Sequence, residues 1–230
     1  PPPPPPLVPY TTLFRSQKYL FLSGIALILL VFVVATVLYQ NHMTNVQDSN
    51  LSEMQSILER EGAPVKGPLD AQVTIVEFFD PACGTCAQFY PLVKKLVDQY
   101  PGKVKVVMRY APLHTGSDQV VKMLEAAHRQ GKFWQSLELL FNNQRRWVSN
   151  HVSQPMRARA LLNGLALDHD RLDTDMNLLE VSKVIRLDME SGQALNVRAT
   201  PGFFVTGRTM SSFGYKQLSQ LVKEAVEEVY

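Results

Sequence analysis

The hydrophobic pattern of the chain begins with one long segment without charge. Residues 19–39, YLFLSGIALILLVFVVATVLY, are 21 consecutive positions without a charged side chain. As an α-helix this segment would be about 31 Å long, which is enough to cross the hydrocarbon core of a bilayer. A cleaved signal peptide has a shorter apolar core and ends in a small-x-small site, whereas this segment ends in Val-Leu-Tyr. The pattern therefore predicts a retained transmembrane anchor.

After the anchor, the pattern changes to alternating helices and strands. Residues 40–66 predict a polar linker that carries one short amphipathic helix, at 51–62. The run VTIVEFF, Val73 to Phe79, is almost continuously apolar and rich in β-branched and aromatic residues, which is typical of a strand buried on both faces. A helix from Asp80 to about Tyr100 and a second strand from Lys103 to Leu113 follow. These elements predict a strand–helix–strand unit.

The remaining pattern is mainly helical. Several amphipathic helices are predicted between residues 117 and 196, the first of them with Ser117 as its N-cap. The segment PGFFVTGRTM then predicts a strand, a turn at Thr206-Gly207 and the start of a return strand. The last sixteen residues, YKQLSQLVKEAVEEVY, have the apolar stripe of an amphipathic helix. The whole pattern indicates an α/β fold after one membrane anchor.

Charge around the anchor predicts its orientation. Arg15 and Lys18 precede the anchor, and the next Arg or Lys is Arg60. The positive-inside rule assigns such a basic flank to the cytoplasm. We therefore expect a single-pass protein of the inner or cytoplasmic membrane, with its N-terminus inside and the large C-terminal part in the periplasm or outside the cell.

The segment before the anchor, residues 1–18, has an unusual sequence. It begins with six prolines and has no initiator Met, and Pro9 to Ser16 spells PYTTLFRS. This octapeptide matches the translation of a common sequencing-adapter oligonucleotide. We hypothesise that residues 1–16 are an assembly artefact, in which case the predicted orientation rests on Lys18 and on the absence of positive charge after the anchor.

Composition excludes several classes of protein. A chain of 230 residues with 46% hydrophobic positions can form a globular domain beside the anchor. Two cysteines are too few for a secreted disulfide-rich scaffold. The chain has 23 Lys and Arg against 21 Asp and Glu, and both of the excess positive charges lie before the anchor. The predicted domain is therefore electrically balanced, and we expect no binding of nucleic acid.

The two cysteines of the sequence, Cys83 and Cys86, lie three positions apart where the first strand meets its helix. Chance would place two cysteines at this spacing in about 1% of chains of this length. A zinc site needs four ligands, and the sequence has no second Cys pair and no two histidines with three to five residues between them. A disulfide between i and i+3 closes too short a loop to stabilise the fold much. The spacing therefore predicts dithiol redox chemistry.

The positions of the two cysteines predict different roles. Cys83 would lie at the helix start, where free backbone N–H groups and the helix dipole favour a thiolate. The thiolate is the attacking species in disulfide exchange. Cys86, one turn later on the same face, should be less exposed, as a resolving thiol is. Gly84 and Thr85 place no imidazole between them, so we expect a less oxidising pair than one with His there.

Two other residues have alternative interpretations when they are judged from the pattern alone. Glu77 is a carboxylate in an apolar strand. It could be an acid at a strand edge or end that reaches solvent, or a buried acid with a raised pKa that exchanges protons with Cys86. Pro201 opens a strand, which is an ordinary position for proline, and the pattern does not determine whether its peptide bond is cis.

These residues resemble the thioredoxin superfamily, and most closely its DsbA-like branch. The resemblance runs from about Gly67 to the C-terminus and is carried by DAQVTIVEFFDPACGTC, by AAHRQGKFWQSLELLF and by VRATPGFFVTGR. It implies a thioredoxin fold over residues 67–230, with a helical domain inserted at about 117–196. A thioredoxin domain without an insertion is too short to contain these helices.

The resemblance also implies roles by position. Cys83 matches the nucleophilic cysteine of the family, Cys86 its resolving partner and Glu77 its buried acid. Pro201 matches the cis-proline that lies opposite the active site and offers backbone groups to an extended peptide. The resemblance implies that four positions bind substrate: Thr200 and Pro201 in this loop, and Gly84 and Thr85 between the two cysteines.

The sequence therefore predicts a membrane-anchored thiol–disulfide oxidoreductase that needs no metal or organic cofactor. It would form, reduce or isomerise disulfides in cysteine-containing extracytoplasmic proteins and be reset by a DsbB-like or DsbD-like membrane partner. The Gly-Thr dipeptide departs from the Pro-His of strong oxidases, and Thr200 is similar to the isomerase and reductase branches, so the direction stays open. Two alternatives are a peptide-binding chaperone or assembly factor with idle cysteines, and a Cu(I) metallochaperone that uses both thiolates.

Overall fold

The computed structural model describes the backbone of residues 11–230, and the side chains of residues 22–25, 27–43, 54–55 and 57–230. The proline run of the segment hypothesised to be artefactual, and the side chains of Arg15 and Lys18, lie outside the described residues. The chain divides into two compact units, Pro1–Glu53 and Met54–Tyr230.

One long helix, α1, covers Thr11–Leu58. Within it, Leu22–Met43 is long and apolar enough to cross a membrane, with a mean hydropathy of 2.7 and no buried residue among those whose side chains are described. This candidate span overlaps the anchor predicted at 19–39. The sequence predicts a polar linker after the anchor, but in the structure the helix continues through this segment to Leu58. Residues 40–58 contain neither Gly nor Pro, the residues that most strongly oppose a helix.

Within the described part of the chain, the second unit is built around a five-stranded sheet and a separate hairpin. The strands are β1 Val65–Lys66, β2 Val73–Phe79, β3 Val104–Tyr110, β4 Val148–Ser149, β5 Val152–Ser153, β6 Gly202–Val205 and β7 Arg208–Thr209. The order in the sheet is β1-β3-β2-β6-β7. Strands β2 and β3 are parallel, and β6 lies antiparallel to β2 on its other side. The hairpin pairs β4 with β5.

Most helices of this unit lie in the long connection between β3 and β6, where the sequence predicts a helical insertion. The helices are α2 Gly84–Gln99, α3 Ser117–His128, α4 Phe133–Asn142, α5 Gln144–Trp147, α6 Pro155–Leu162, α7 His169–Asp175, α8 Leu179–Ala194 and α9 Tyr215–Val229. The N-cap of α3 is Gly116, in a left-handed conformation, and not Ser117 as predicted. The Ser117 hydroxyl instead lies 3.0 Å from Asp80 Oδ2 and 2.8 Å from the His114 carbonyl oxygen, and its single O–H can donate to either acceptor.

Strand β2 is buried on both faces, as its apolar run predicts. Ile75 and Phe79 belong to a large core that includes residues of α2, α9 and the inserted helices. Val76 and Phe78 belong to a second core, with the end of α1 on the opposite face. Side chains alternate between the faces of a strand. Glu77 therefore shares the face of Ile75 and Phe79, towards α2.

A buried ion cluster lies on the second face of the sheet. Arg109 of β3 is 1% exposed, and its Nε lies 2.7 Å from Oδ1 of Asp188 on α8. The Nε of Arg60 approaches the same oxygen, also at 2.7 Å. Arg109 Nη1 donates to the carbonyls of Ile57 and Leu58 at 2.6 and 2.5 Å. Arg109 thus satisfies carbonyls in the last turn of α1, which would otherwise have no helical partner.

Candidate active site

Cys83 and Cys86 lie at the junction of β2 and α2. Cys83 is the N-cap residue of α2, with extended backbone angles of φ −74° and ψ 118°. Cys86 is in the first turn of that helix, and both cysteines are free thiols. Cys83 is 5% exposed and Cys86 is fully buried. The order of exposure and the position at the helix start agree with the sequence prediction.

The surroundings of Cys83 stabilise its thiolate. They lower its pKa from the ordinary value of 9.0 to about 5. The main cause is a hydrogen bond from the Cys86 thiol, and burial opposes it. Further hydrogen bonds come from the Thr200 side chain and from the backbone N–H groups of Cys86 and Thr85. Such donors stabilise the charged form of a thiol more than its neutral form. Cys83 is therefore ionised at neutral pH.

Cys86 has the opposite behaviour. Burial raises its pKa well above the ordinary value, and the hydrogen bond with Cys83 and the charge of Glu77 raise it further. A buried thiol loses hydration when it ionises, and nearby negative charge disfavours a second one. Cys86 therefore keeps its proton while Cys83 is a thiolate, so the two sulfurs differ in nucleophilicity.

Glu77 is a buried acid and not a residue of a strand edge. It pairs with Met108 of β3 on one side and with Phe203 of β6 on the other, so its strand is internal to the sheet. Its side chain is fully buried, and neither carboxylate oxygen has a hydrogen-bond partner among the described residues. Burial, followed by the charge of Cys83, raises its pKa from 4.5 to about 8.

The loop before β6 lies against Cys83. The Thr200-Pro201 peptide bond is cis, which the sequence pattern alone left undetermined. The Cys83 sulfur lies 3.2 Å from the Thr200 carbonyl oxygen, to which the thiol can donate only while it is protonated. Pro201 is buried and Thr200 is half-buried, whereas Gly84, the residue after Cys83, is exposed and Thr85 is half-buried. The structure thus places the predicted substrate-binding positions around Cys83.

Sequence reasoning missed Asp80, which organises the turn before Cys83. This carboxylate is fully buried. Its Oδ1 accepts from the Ala82 N–H at 2.8 Å, and its Oδ2 accepts from the Leu113 and His114 N–H groups at 2.7 and 2.8 Å. It therefore joins the cysteine turn to the loop that follows β3. An acid directly between an apolar strand and a proline was the available signal, because such a residue commonly bonds nearby backbone N–H groups.

Gln144, at the start of α5, was also missed. Its Nε2 donates to the Pro81 carbonyl at 2.9 Å and to the Cys83 carbonyl at 3.0 Å. No local pattern marks this residue, because its partners are about sixty positions earlier in the chain. As to metals, the described residues include no group of three or more His, Cys, Asp or Glu side chains arranged to hold an ion.

The chain is similar in sequence and in fold to known thioredoxin-like proteins. The family model described as Thioredoxin matches residues 59–224. A solved thioredoxin-like oxidoreductase from Silicibacter pomeroyi DSS-3 is 30% identical with a TM-score of 0.65, and the match covers 75% of this chain and 96% of that one. Oxidised BdbD from Bacillus subtilis is 24% identical with a TM-score of 0.62, over 73% and 94% of the two chains; this likeness concerns the fold alone.

Two curated relatives differ in how much of them this chain covers. The match to disulfide bond formation protein D of Bacillus subtilis is 24% identical over 196 residues, covering 81% of this chain and 86% of the relative. The match to the Na(+)/H(+) antiporter NhaA of Herminiimonas arsenicoxydans is 31% identical over 146 residues, or 64% of this chain. This chain spans only 22% of the antiporter's length, so the similarity is confined to one part of that protein.

Proposed function

Because the chain belongs to the thioredoxin family, we propose that it is a thiol–disulfide oxidoreductase of the DsbA type acting on cysteine-containing proteins outside the cytoplasm. Its fold is the thioredoxin fold with an inserted helical domain. The observation that carries the proposal is the contrast between two adjacent sulfurs, Cys83 with a pKa of about 5 and Cys86 with a pKa raised well above the ordinary value. At neutral pH Cys83 is a thiolate that can act as the nucleophile, whereas Cys86 keeps its proton.

In the reducing direction, the Cys83 thiolate attacks one sulfur of a substrate disulfide. A new S–S bond forms between Cys83 and the substrate, and the second substrate sulfur leaves as a thiolate. Cys86 then loses its proton and attacks Cys83, so the enzyme disulfide forms and the substrate is released with both sulfurs reduced. The oxidising direction is the reverse: a substrate thiolate attacks the Cys83–Cys86 disulfide, and the substrate leaves oxidised.

Glu77 is the proton acceptor and donor for Cys86 in this proposal. The charge of the Cys83 thiolate helps to keep Glu77 protonated. When Cys83 enters a mixed disulfide, that charge disappears and Glu77 more readily releases its own proton to solvent. The resulting carboxylate accepts the Cys86 proton just when Cys86 must become a nucleophile. The reverse transfer returns the proton to the thiol when the enzyme disulfide is opened.

The substrate would bind as an extended segment beside the Thr200-Pro201 loop and near Gly84 and Thr85, which follow the reactive Cys83 in the chain. The span Leu22–Met43 supports an anchored enzyme, for which we propose a cytoplasmic N-terminus and a catalytic domain in the periplasm or outside the cell. A DsbB-like or DsbD-like membrane protein would reset the pair. Reduction potential decides between these partners, since a donor of disulfides is kept oxidised and an isomerase or reductase is kept reduced.

Cysteine variants of the full chain in detergent test the proposal. Cys86→Ser should accumulate mixed disulfides with substrate proteins through Cys83, because the resolving sulfur is missing. Cys83→Ser should form none and should not reduce insulin. Gel electrophoresis without reductant detects the adducts, and the double variant is the control. Absence of disulfide exchange in the unaltered chain, with peptide binding unchanged in both single variants, would contradict the proposal and indicate a peptide-binding chaperone. Stoichiometric Cu(I) binding without exchange would indicate a metallochaperone.

A further inference from the structure

The inserted helical domain contacts the redox turn directly through one side chain. We propose that Gln144 is a positioning residue for disulfide exchange, and that it fixes the backbone turn of residues 81–84 on which Cys83 is mounted. This inference rests on the proposed function, since it assigns a role in the reaction of that same site. Because Gln144 belongs to the inserted helical domain, this domain would help to set the reactivity of Cys83.

The orientation of the Gln144 carboxamide follows from its partners. Both of them, the Pro81 and Cys83 carbonyl oxygens, can only accept hydrogen bonds, so the donating –NH₂ end must face them. The other end, Oε1, lies 3.8 Å from the position that a Cβ on Gly84 would occupy. One carboxamide therefore extends along the whole turn from Pro81 to Gly84.

The base of the Gln144 side chain is held firmly. Trp147, in the same short helix, is fully buried, and its Nε1 donates to the Leu140 carbonyl at 2.9 Å. The Trp147 carbonyl accepts from the Gln154 N–H at 2.7 Å, and the Gln144 carbonyl accepts from the N–H of Val148. A side chain on such a fixed base loses little additional freedom when it forms its own hydrogen bonds.

Holding the Cys83 carbonyl matters because the same turn supplies donors to the sulfur. The Cys83 carbonyl accepts both from Gln144 and from the Ala87 N–H, the latter at 3.2 Å. The N–H groups of Thr85 and Cys86, in the first turn of α2 directly after this turn, contribute to lowering the pKa of Cys83. Without the carboxamide, the turn samples more conformations and its N–H groups point at the sulfur less consistently. The thiolate is then less stabilised.

The experiment compares Gln144→Ala and Gln144→Glu with Gln130→Ala in the full chain in detergent. Gln130 is a matched control, because its carboxamide also bonds backbone groups, the N–H and C=O of Asp168, at 2.9 and 3.0 Å, away from the redox turn. Thiolate absorbance measured against pH gives the Cys83 pKa, equilibration with glutathione gives the redox equilibrium, and insulin reduction gives the rate.

We expect Gln144→Ala to raise the Cys83 pKa by about one unit, which at neutral pH shifts the glutathione equilibrium about tenfold towards the enzyme disulfide. Gln144→Glu keeps the shape but replaces the donor with an anion, so it should raise the pKa at least as much. Gln130→Ala should lower stability without moving either quantity. Circular dichroism confirms that each variant is folded, and the glutamate variant serves if the alanine variant does not fold.

Two results would overturn the inference: a Cys83 pKa unchanged in both Gln144 variants, or an equal shift in Gln130→Ala, which would reveal a general loosening of the fold. These outcomes are distinct from failure of the proposed function. In that case the unaltered chain would exchange no disulfides at all, while the pKa of Cys83 in the Gln144 variants would still report on the positioning role.

Discussion

Replacing Glu77 by glutamine should change how the stability of the domain depends on pH. Glu77 is fully buried, and burial raises its pKa from 4.5 to about 8. A carboxyl group with a higher pKa in the folded than in the unfolded chain binds its proton more firmly after folding. Its contribution therefore favours the folded state most below pH 4.5, and stability is lost as the pH rises towards about 8.

The size of this loss follows from the shift. Each pKa unit corresponds to about 1.4 kcal/mol. Between pH 4.5 and neutral pH, ionisation of the unfolded chain at Glu77 should lower the free energy of unfolding by about 3 kcal/mol, and by about 5 kcal/mol above pH 8. Glutamine has nearly the same shape and does not titrate. Even after about 1–3 kcal/mol for an unpaired buried amide, Glu77→Gln should be the more stable protein at slightly alkaline pH.

The assay must use the protein with its Cys83–Cys86 disulfide formed. In the reduced protein the pKa of Cys83 is lowered from 9.0 to about 5, so its contribution has the opposite sign. That stability is fully present above pH 9 and is lost as the pH falls through about 5. The two titrations would largely cancel between these limits. In the disulfide form only Glu77 remains, with a somewhat smaller shift because the Cys83 charge is absent.

Denaturant unfolding of the full chain in detergent at a series of pH values measures the effect. The wild-type free energy of unfolding should fall between about pH 5 and about pH 8, and that of Glu77→Gln should be nearly constant. Glu138→Gln, a change at an acid whose side chain is 46% exposed, controls for the loss of one negative charge. Parallel profiles for the wild type and Glu77→Gln would refute the reasoning, because the carboxylate would then be hydrated in the folded chain.

Three other changes have expected outcomes. Thr85→His places an imidazolium beside the Cys83 thiolate, so it should lower the pKa of Cys83 and shift the glutathione equilibrium about tenfold towards the dithiol; thiolate absorbance and equilibration measure both. Asp188→Ala leaves the buried Arg109 without its carboxylate and should cost about 3–5 kcal/mol in denaturant unfolding, whereas replacing both residues by apolar ones should cost less. Asp80→Asn replaces a carboxylate whose oxygens accept hydrogen bonds from several backbone N–H groups. It should lower the free energy of unfolding by about 2 kcal/mol in the same assay, and an unchanged denaturation midpoint would contradict the role of Asp80 in holding this turn.

The elements next to the cysteines could be predicted closely because their patterns are strong. The strand predicted at Val73 to Phe79 is observed with the same bounds. The following helix begins at Gly84, four residues after its predicted start at Asp80, and ends at Gln99, one residue before its predicted end. A continuous apolar run fixes a buried strand regardless of its partners. By contrast, a polar stretch such as residues 40–50 has no apolar stripe to indicate a helix, and the structure extends α1 through it.

The site itself was predictable where its chemistry is local. Cys83 and Cys86 are marked by their spacing and by the preceding strand. The burial of Glu77 could not be decided from the pattern, because it depends on β6 pairing with β2 from far along the chain. The distant partners of Asp80, Leu113 and His114, and both partners of Gln144 are brought close only by the tertiary fold. Residues that support a reactive group from a distance in sequence leave no periodic signal.

The contact between Cys83 and Thr200 has a consequence for biosynthesis. The two residues are 117 positions apart, and the loop that brings Thr200 to the sulfur comes only after the inserted helices. Contacts so distant in sequence form late, when the intervening chain has been ordered. A chain emerging from its N-terminal end would therefore carry two thiols that lack their full set of partners, and its cysteines would gain full reactivity only once nearly the entire domain has been made and folded.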